Sequence, residues 1–306
     1  MKVIFIHGMN QQHHSAASIR QRWLHILQKG IRKHRHDARF SYLRRHIHIP
    51  FYGDLLSHYN VRNILNAGTL MPQQWPSFRF RQPVHPQLPA PVPRPGWRKP
   101  VISDLPQLHL NEPMDFKQKF KFITTLSKNV ALRDFVLLLN YFPSLHRSLL
   151  QKFLIETYLY LDNPGFMREV HERIARQVNG RKPCIVIAHS LGSVIAYNYL
   201  IQHPGLNVQR FITLGSPLAF QVIQSHLPQP IVRPAAITGD WINFYSTDDF
   251  LTAFPLTQPP FQFQPAIINH GIRTHIHRPH DITGYLLHPQ VVKAILELLK
   301  NPAQTM

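Results

Sequence analysis

Ser190 stands in the string Pro183-Cys184-Ile185-Val186-Ile187-Ala188-His189-Ser190-Leu191-Gly192, where one apolar pattern gives way to another. A serine hydroxyl attacks poorly until a base takes its proton, and the base needs a carboxylate to fix its tautomer and stabilise its cation. Downstream, the chain offers the carboxylates of Asp248 and Asp249 in Tyr245-Ser246-Thr247-Asp248-Asp249-Phe250-Leu251 and the imidazoles of His270, His275, His277 and His280. A hydroxyl, a carboxylate and an imidazole brought together can carry out nucleophilic acyl transfer. Ser216 is a second serine that follows an apolar run, but Pro217 after it and the better turn at Ser190 argue against it.

The elements that must position these groups follow from pattern. Cys184 to Ala188 is an unbroken apolar run, β-branched at Ile185, Val186 and Ile187, as in a strand buried on both faces. From Leu191 the apolar residues recur at helical spacing through Val194, Ile195 and Tyr199, so a helix begins where the strand stops. Small residues at Ala188 and Gly192 allow the tight turn between them. That turn pushes the Ser190 side chain into the open, beside a helix N-terminus whose free N–H groups favour developing negative charge.

Ala188-His189-Ser190-Leu191-Gly192 resembles the G-x-S-x-G nucleophile elbow of the α/β-hydrolases, with alanine in place of the first glycine. The resemblance implies a mostly parallel sheet beginning at the family's usual third strand, Lys2 to Ile6, with a helical insertion before the elbow. A strand ending in His7-Gly8-Met9-Asn10 then implies an oxyanion hole made by the Met9 and Leu191 N–H groups. Family order is nucleophile, acid, histidine. An acid followed by two apolar residues matches Asp249-Phe250-Leu251 better than Asp248. The string Pro279-His280-Asp281-Ile282-Thr283-Gly284-Tyr285-Leu286 is similar to an H-D-I-x-G-Y-L string of largely uncharacterised bacterial α/β-hydrolases and implies His280 as the base, with His270, His275 and His277 behind it. Asp281 is set aside as acid because adjacent residues rarely face each other. Tyr52-Gly53-Asp54-Leu55 resembles a Y-G-D-L stretch of the same group, and Thr213-Leu214-Gly215-Ser216-Pro217-Leu218 the lipase-like branch.

Further helices and strands are expected around this frame. Ile19, Trp23, Ile26 and Leu27 predict a helix over Ala17 to Gly30 that stops at the glycine. Lys29 to Arg45 carries seven Lys or Arg against one Asp and leads into a predicted strand, Arg45 to Ile49. The pairs His34-x-His36 and His46-x-His48 lack acidic or cysteine companions and read as basic surface rather than metal ligands. His275-x-His277-x-x-His280 is likewise assigned to the triad region rather than to a metal. From Pro72 to Pro100 nine prolines predict an extended excursion over the surface. Residues 115–178 read as at least three helices, divided at Pro143 and at Asp162-Asn163-Pro164-Gly165; the resemblance implies a cap there, whose aromatic and leucine side chains would suit an apolar acyl pocket, with ordinary packing on the sheet as the alternative. Strands over Gln209 to Leu214 and Trp241 to Tyr245 and a last helix over Gln290 to Lys300 complete a single domain over residues 1–306.

Composition narrows the classes. The single cysteine, Cys184, excludes a disulfide scaffold and reads as a buried thiol. The opening apolar stretch is too short for a signal peptide, and Val130 to Phe142 is interrupted by Arg133, Asp134 and Asn140, so a cytoplasmic chain is expected. A formal charge of +19 points to a polyanion, and an anionic membrane face is the expected peripheral contact. Nucleic acid is disfavoured by the lack of zinc-finger, helix-turn-helix or RNP spacing. Two functions compete: a serine hydrolase of lipid-like or other acyl esters that needs no metal or organic cofactor, and an inactive hydrolase-like scaffold binding through its basic face.

Overall fold

The computed structural model describes residues 1–8, 11, 13–33, 37–55, 65–66, 71–72, 156–157, 159–161, 163–178, 180–224, 226–249, 255–274 and 278–299. Most of the Pro72 to Pro100 excursion, the insertion up to residue 155, and Met9, His34, His36, His275 and His277 lie outside them.

The apolar runs pair into one parallel sheet. Its strands are β1 (Lys2–Ile6), β2 (Ile47–His48), β5 (Cys184–His189), β6 (Val208–Leu214), β7 (Ile237–Ser246) and β8 (Ile268–Ile272), in the order β2-β1-β5-β6-β7-β8. All five ladders are parallel. A separate antiparallel pair joins β3 (Leu65–Asn66) to β4 (Met71–Pro72). Seven α-helices lie with both ends among the described residues: α1 (Ala16–Lys33), α2 (Asp37–His46), α3 (Pro164–Ala175), α4 (Leu191–Gln202), α5 (Gln221–Gln224), α6 (Ile282–Leu286) and α7 (Pro289–Leu296).

Successive strand residues point to opposite faces, so each strand feeds two cores. Val3, Phe5, Ile185, Ile187, Ile212 and Phe244 join the side chains of α1, α6 and α7 on one face. Ile4, Ile6, Val186, Ala188, Phe211 and Trp241 join those of α3 and α4 on the other. A sheet covered on both sides requires apolar residues at every position of its central strand, and β5 is buried from end to end. Across the outer faces of α1 and α2, Arg20, Arg22, Lys29, Arg32, Lys33, Arg44 and Arg45 are exposed, and the Arg20 guanidinium donates to the Arg44 carbonyl at 2.8 Å.

Three expectations are corrected. Helix α1 does not stop at Gly30 but runs to Lys33. A Cβ at Gly30 would lie 2.7 Å from the Leu286 carbonyl oxygen and 3.0 Å from Val292 Cγ2, so this glycine permits close packing on α6 and α7 rather than ending a helix. The predicted strand Arg45 to Ile49 shrinks to Ile47–His48, because Arg44, Arg45 and His46 close α2, where cations complement the helix dipole. His46 contacts the Tyr42 carbonyl at 2.8 Å and His48 the Gln177 side chain at 3.2 Å, so they do not form a strand-face pair. Strand β8 was not expected: only Ile272 of Ile-Asn-His-Gly-Ile is buried, as befits an edge strand with little apolar pattern.

The Asp162-to-Gly165 turn does start a helix. Asn163 caps α3 by accepting the Phe166 N–H at 2.9 Å, and Pro164 occupies the first turn, where no N–H is needed. Among the described residues no helix is long and apolar enough to cross a membrane.

Candidate active site

The chain steps from β1 outward to β2, then returns to β5 on the other side of β1. At such a reversal the loops leaving neighbouring strands diverge, opening a crevice at the carboxyl ends. Ser190 follows β5 there, and Gly8 follows β1. A Cβ on Gly8 would lie 2.8 Å from Ser190 Cβ and 2.9 Å from the His189 carbonyl oxygen, so the absent side chain is what lets the two turns meet.

Ser190 has φ 54° and ψ −131° and is the one non-glycine residue with positive φ among the described residues. Such a conformation costs on the order of 1–3 kcal/mol and persists only where its surroundings impose it. Here they do: Ser190 N–H donates to the Leu214 carbonyl at 3.0 Å, and the Ser190 carbonyl accepts from Ser193 N–H at 2.8 Å and from Ser193 Oγ at 2.6 Å. Ser193 Oγ also lies 2.7 Å from Ser216 Oγ, which gives Ser216 a bracing place beneath the turn. Gly192 lies against β1, where a Cβ would be 2.4 Å from the His7 carbonyl oxygen. Leu191, the first residue of α4, has its N–H among those a helix leaves without an intrahelical acceptor.

The other groups come from loops after β7 and β8. His280 Nε2 is 2.6 Å from Ser190 Oγ, and His280 Nδ1 donates to Asp249 Oδ2 at 2.8 Å. That second bond fixes the neutral tautomer whose Nε2 lone pair faces the hydroxyl. Asp249 is fully buried. The carboxylate contacting His280 is therefore Asp249; Asp248 donates its N–H to Ser246 Oγ at 3.2 Å, and His270 stacks on Phe244 at 5.2 Å. Asp281 caps α6 by accepting the Thr283 N–H at 2.8 Å and pairs with Arg22 at 3.2 Å. Burial works to raise its pKa, but the Thr283 bonds and the Arg22 charge outweigh it and hold the carboxyl below its ordinary pKa.

Several residues that sequence reasoning left without a role complete the site. His189 Nε2–H donates to the His280 carbonyl at 3.1 Å; burial, then the neighbouring His280, pushes its pKa down to about 3, so it is a neutral strut. His7 Nδ1–H donates to the Gly8 carbonyl at 2.8 Å and its Nε2 accepts the Tyr52 N–H at 3.3 Å. The Tyr52 hydroxyl donates to the His7 carbonyl and its ring stacks on His7 at 3.8 Å, while burial lowers the His7 pKa to about 4. Asp54 is held bidentately by Arg173 at 2.8 and 2.9 Å, so the Tyr52-Gly53-Asp54 stretch anchors the loop after β1 to α3. The Tyr285 hydroxyl donates to Asp249 Oδ2 at 2.6 Å. The signal for Tyr285 and Tyr52 was present in their strings, but only side-chain contact says what each does.

Cys184 is buried with its thiol pushed by burial up to about 11, an inert core group. The described atoms at the crevice thus form a chain in which Ser190 can lose a proton to His280 while Asp249 compensates the imidazolium. Compared with known proteins, the chain matches no family model, no curated protein and no solved structure.

Proposed function

We propose that the protein is a serine hydrolase of α/β-hydrolase architecture that cleaves carboxylic esters through an acyl-enzyme. The observation that carries this reading is the continuous hydrogen-bonded path from Ser190 Oγ through His280 to Asp249, at the carboxyl ends of β5, β8 and β7. Further support comes from the strained turn, which does not open Ser190 to solvent as its sequence suggested but buries it with the hydroxyl facing His280, and from the chain order serine, acid, histidine. In this reading Ser190 Oγ bonds to the carbonyl carbon as its proton passes to His280 Nε2. The Leu191 amide, with the expected Met9 amide, receives the oxyanion. Collapse breaks the bond to the alcohol oxygen, which takes the proton from His280. Water then loses a proton to His280 as it bonds to the acyl carbon; collapse breaks the bond to Ser190 Oγ, which takes the proton back from His280, and releases the acid. No metal or organic cofactor takes part in these steps.

The test is labelling with a fluorophosphonate, which traps an activated serine. Wild type is expected to label, and Ser190→Ala and His280→Ala each to lose on the order of a million-fold in turnover of an activated ester. A folded wild type that neither labels nor turns over would overturn the proposal and leave the inactive scaffold with its basic face as the reading to pursue.

A further inference from the structure

We infer that Tyr285 is a positioning residue of the acid–base pair, setting the pH range over which His280 works as a base; this rests on the hydrolase reading. The phenol donates to Asp249 Oδ2 at 2.6 Å, the same oxygen that accepts from His280 Nδ1 at 2.8 Å. Both donors come from one short segment. His280 directly precedes the α6 cap Asp281, and Tyr285 lies in α6, so the segment grips the carboxylate at two points.

The surroundings are shaped for this contact. Tyr285 and Asp249 are both fully buried. Gly215 sits beside them at φ 55°, where a Cβ would lie 3.0 Å from the Tyr285 hydroxyl and 3.2 Å from Asp249 Oδ2. The left-handed glycine thus leaves the space in which phenol and carboxylate meet. On the other side, the His189 ring lies 5.8 Å from that of Tyr285 and its N–H holds the His280 carbonyl.

A donor on a carboxylate draws off part of its charge, so the carboxylate stabilises a facing imidazolium less. Without the phenol, Asp249 presents more charge to His280, favours the protonated ring, and takes the base out of action at higher pH. A packing role alone would lower the rate without moving this limb.

The experiment measures the second-order rate of fluorophosphonate labelling from pH 5 to 9 in wild type and Tyr285→Phe, with thermal melting of both. The expected result is an acid limb about one unit higher and about a ten-fold loss below it, from a hydrogen bond to a charged group. Placing 3-fluorotyrosine at 285 keeps the ring and its hydroxyl, strengthens the donor, and is expected to move the limb the opposite way; it decides the matter if Tyr285→Phe does not fold. An unmoved limb in the folded variants overturns the assignment even if the rate falls. A folded wild type that does not label removes the hydrolase reading, and the assignment with it, before any variant is compared.

Discussion

The two sides of the crevice are built by different forces. On the Ser190 side, Gly8, His189, Ser190 and Gly192 are held by backbone contacts and close approach: positive φ at Ser190, and missing Cβ atoms at Gly8 and Gly192. Its histidines, His7 and His189, are buried and neutral, with pKa values lowered to about 4 and about 3. On the His280 side, Asp249, His280, Tyr285, Asp281 and Arg22 are held by side-chain hydrogen bonds and charge. One side is fastened by shape and the other by charge, so the first should fail by losing stability and the second by losing chemistry.

The sharpest way to break that contrast is Asp249→Asn, which keeps the shape of the His280 side and removes the carboxylate charge facing the imidazole. If the proposed function holds, labelling is expected to fall about ten-thousand-fold, as it does for the same change in serine-protease triads, while the melting temperature stays within a few degrees. A loss of labelling explained by unfolding would show that the carboxylate serves the fold first.

Acid should act on the shape side. With folded pKa values depressed below the ordinary 6.5, His7 and His189 stay neutral in the fold while the unfolded chain takes up protons. Above about pH 6.5 neither state is protonated and nothing is lost; below it the unfolded state binds more protons and stability falls until the folded pKa is reached. Between pH 7 and pH 5 the loss is about 2 kcal/mol per histidine. Denaturant titrations at the two pH values check this, and in His189→Gln the drop should be smaller by about 2 kcal/mol. An equal drop in both proteins would count against a buried neutral His189.

The smallest change is one methyl at Gly192. Its Cβ would lie 2.4 Å from the His7 carbonyl oxygen and 2.5 Å from that of Ile6, backbone atoms fixed by the β1–β5 ladder. Gly192→Ala is expected to cost about 1–3 kcal/mol, and a melting temperature lower by several degrees, with labelling falling in step. If labelling vanished with the melting temperature unchanged, Gly192 would act on chemistry rather than shape.

The turn at Ser190 was legible because everything that makes it is local: β-branched residues for a strand buried on both faces, a small residue on either side, and helical spacing from Leu191. The Asn163-Pro164 helix start was legible for the same reason. Choosing Asp249 over Asp248 and His280 over other histidines drew on resemblance, since nothing local separates adjacent carboxylates on a loop. Strand β8 escaped because an edge strand buries one residue and needs no alternation, and Gly30 misled because a glycine demanded by a neighbouring helix looks in sequence like one that ends its own.

By itself, then, the sequence determined the central strands, the turn at Ser190 and the types of group available for chemistry, since these follow from periodicity and steric freedom within about ten residues. Only the tertiary structure decided which groups touch. Strand order brings the ends of β1, β5, β7 and β8 to one crevice, and packing across separations of 31 to 90 residues sets His280 between Asp249 and Ser190 and adds Tyr285, 36 residues from Asp249, to the carboxylate. Contacts of that range depend on how two cores close over one sheet, which no local pattern encodes.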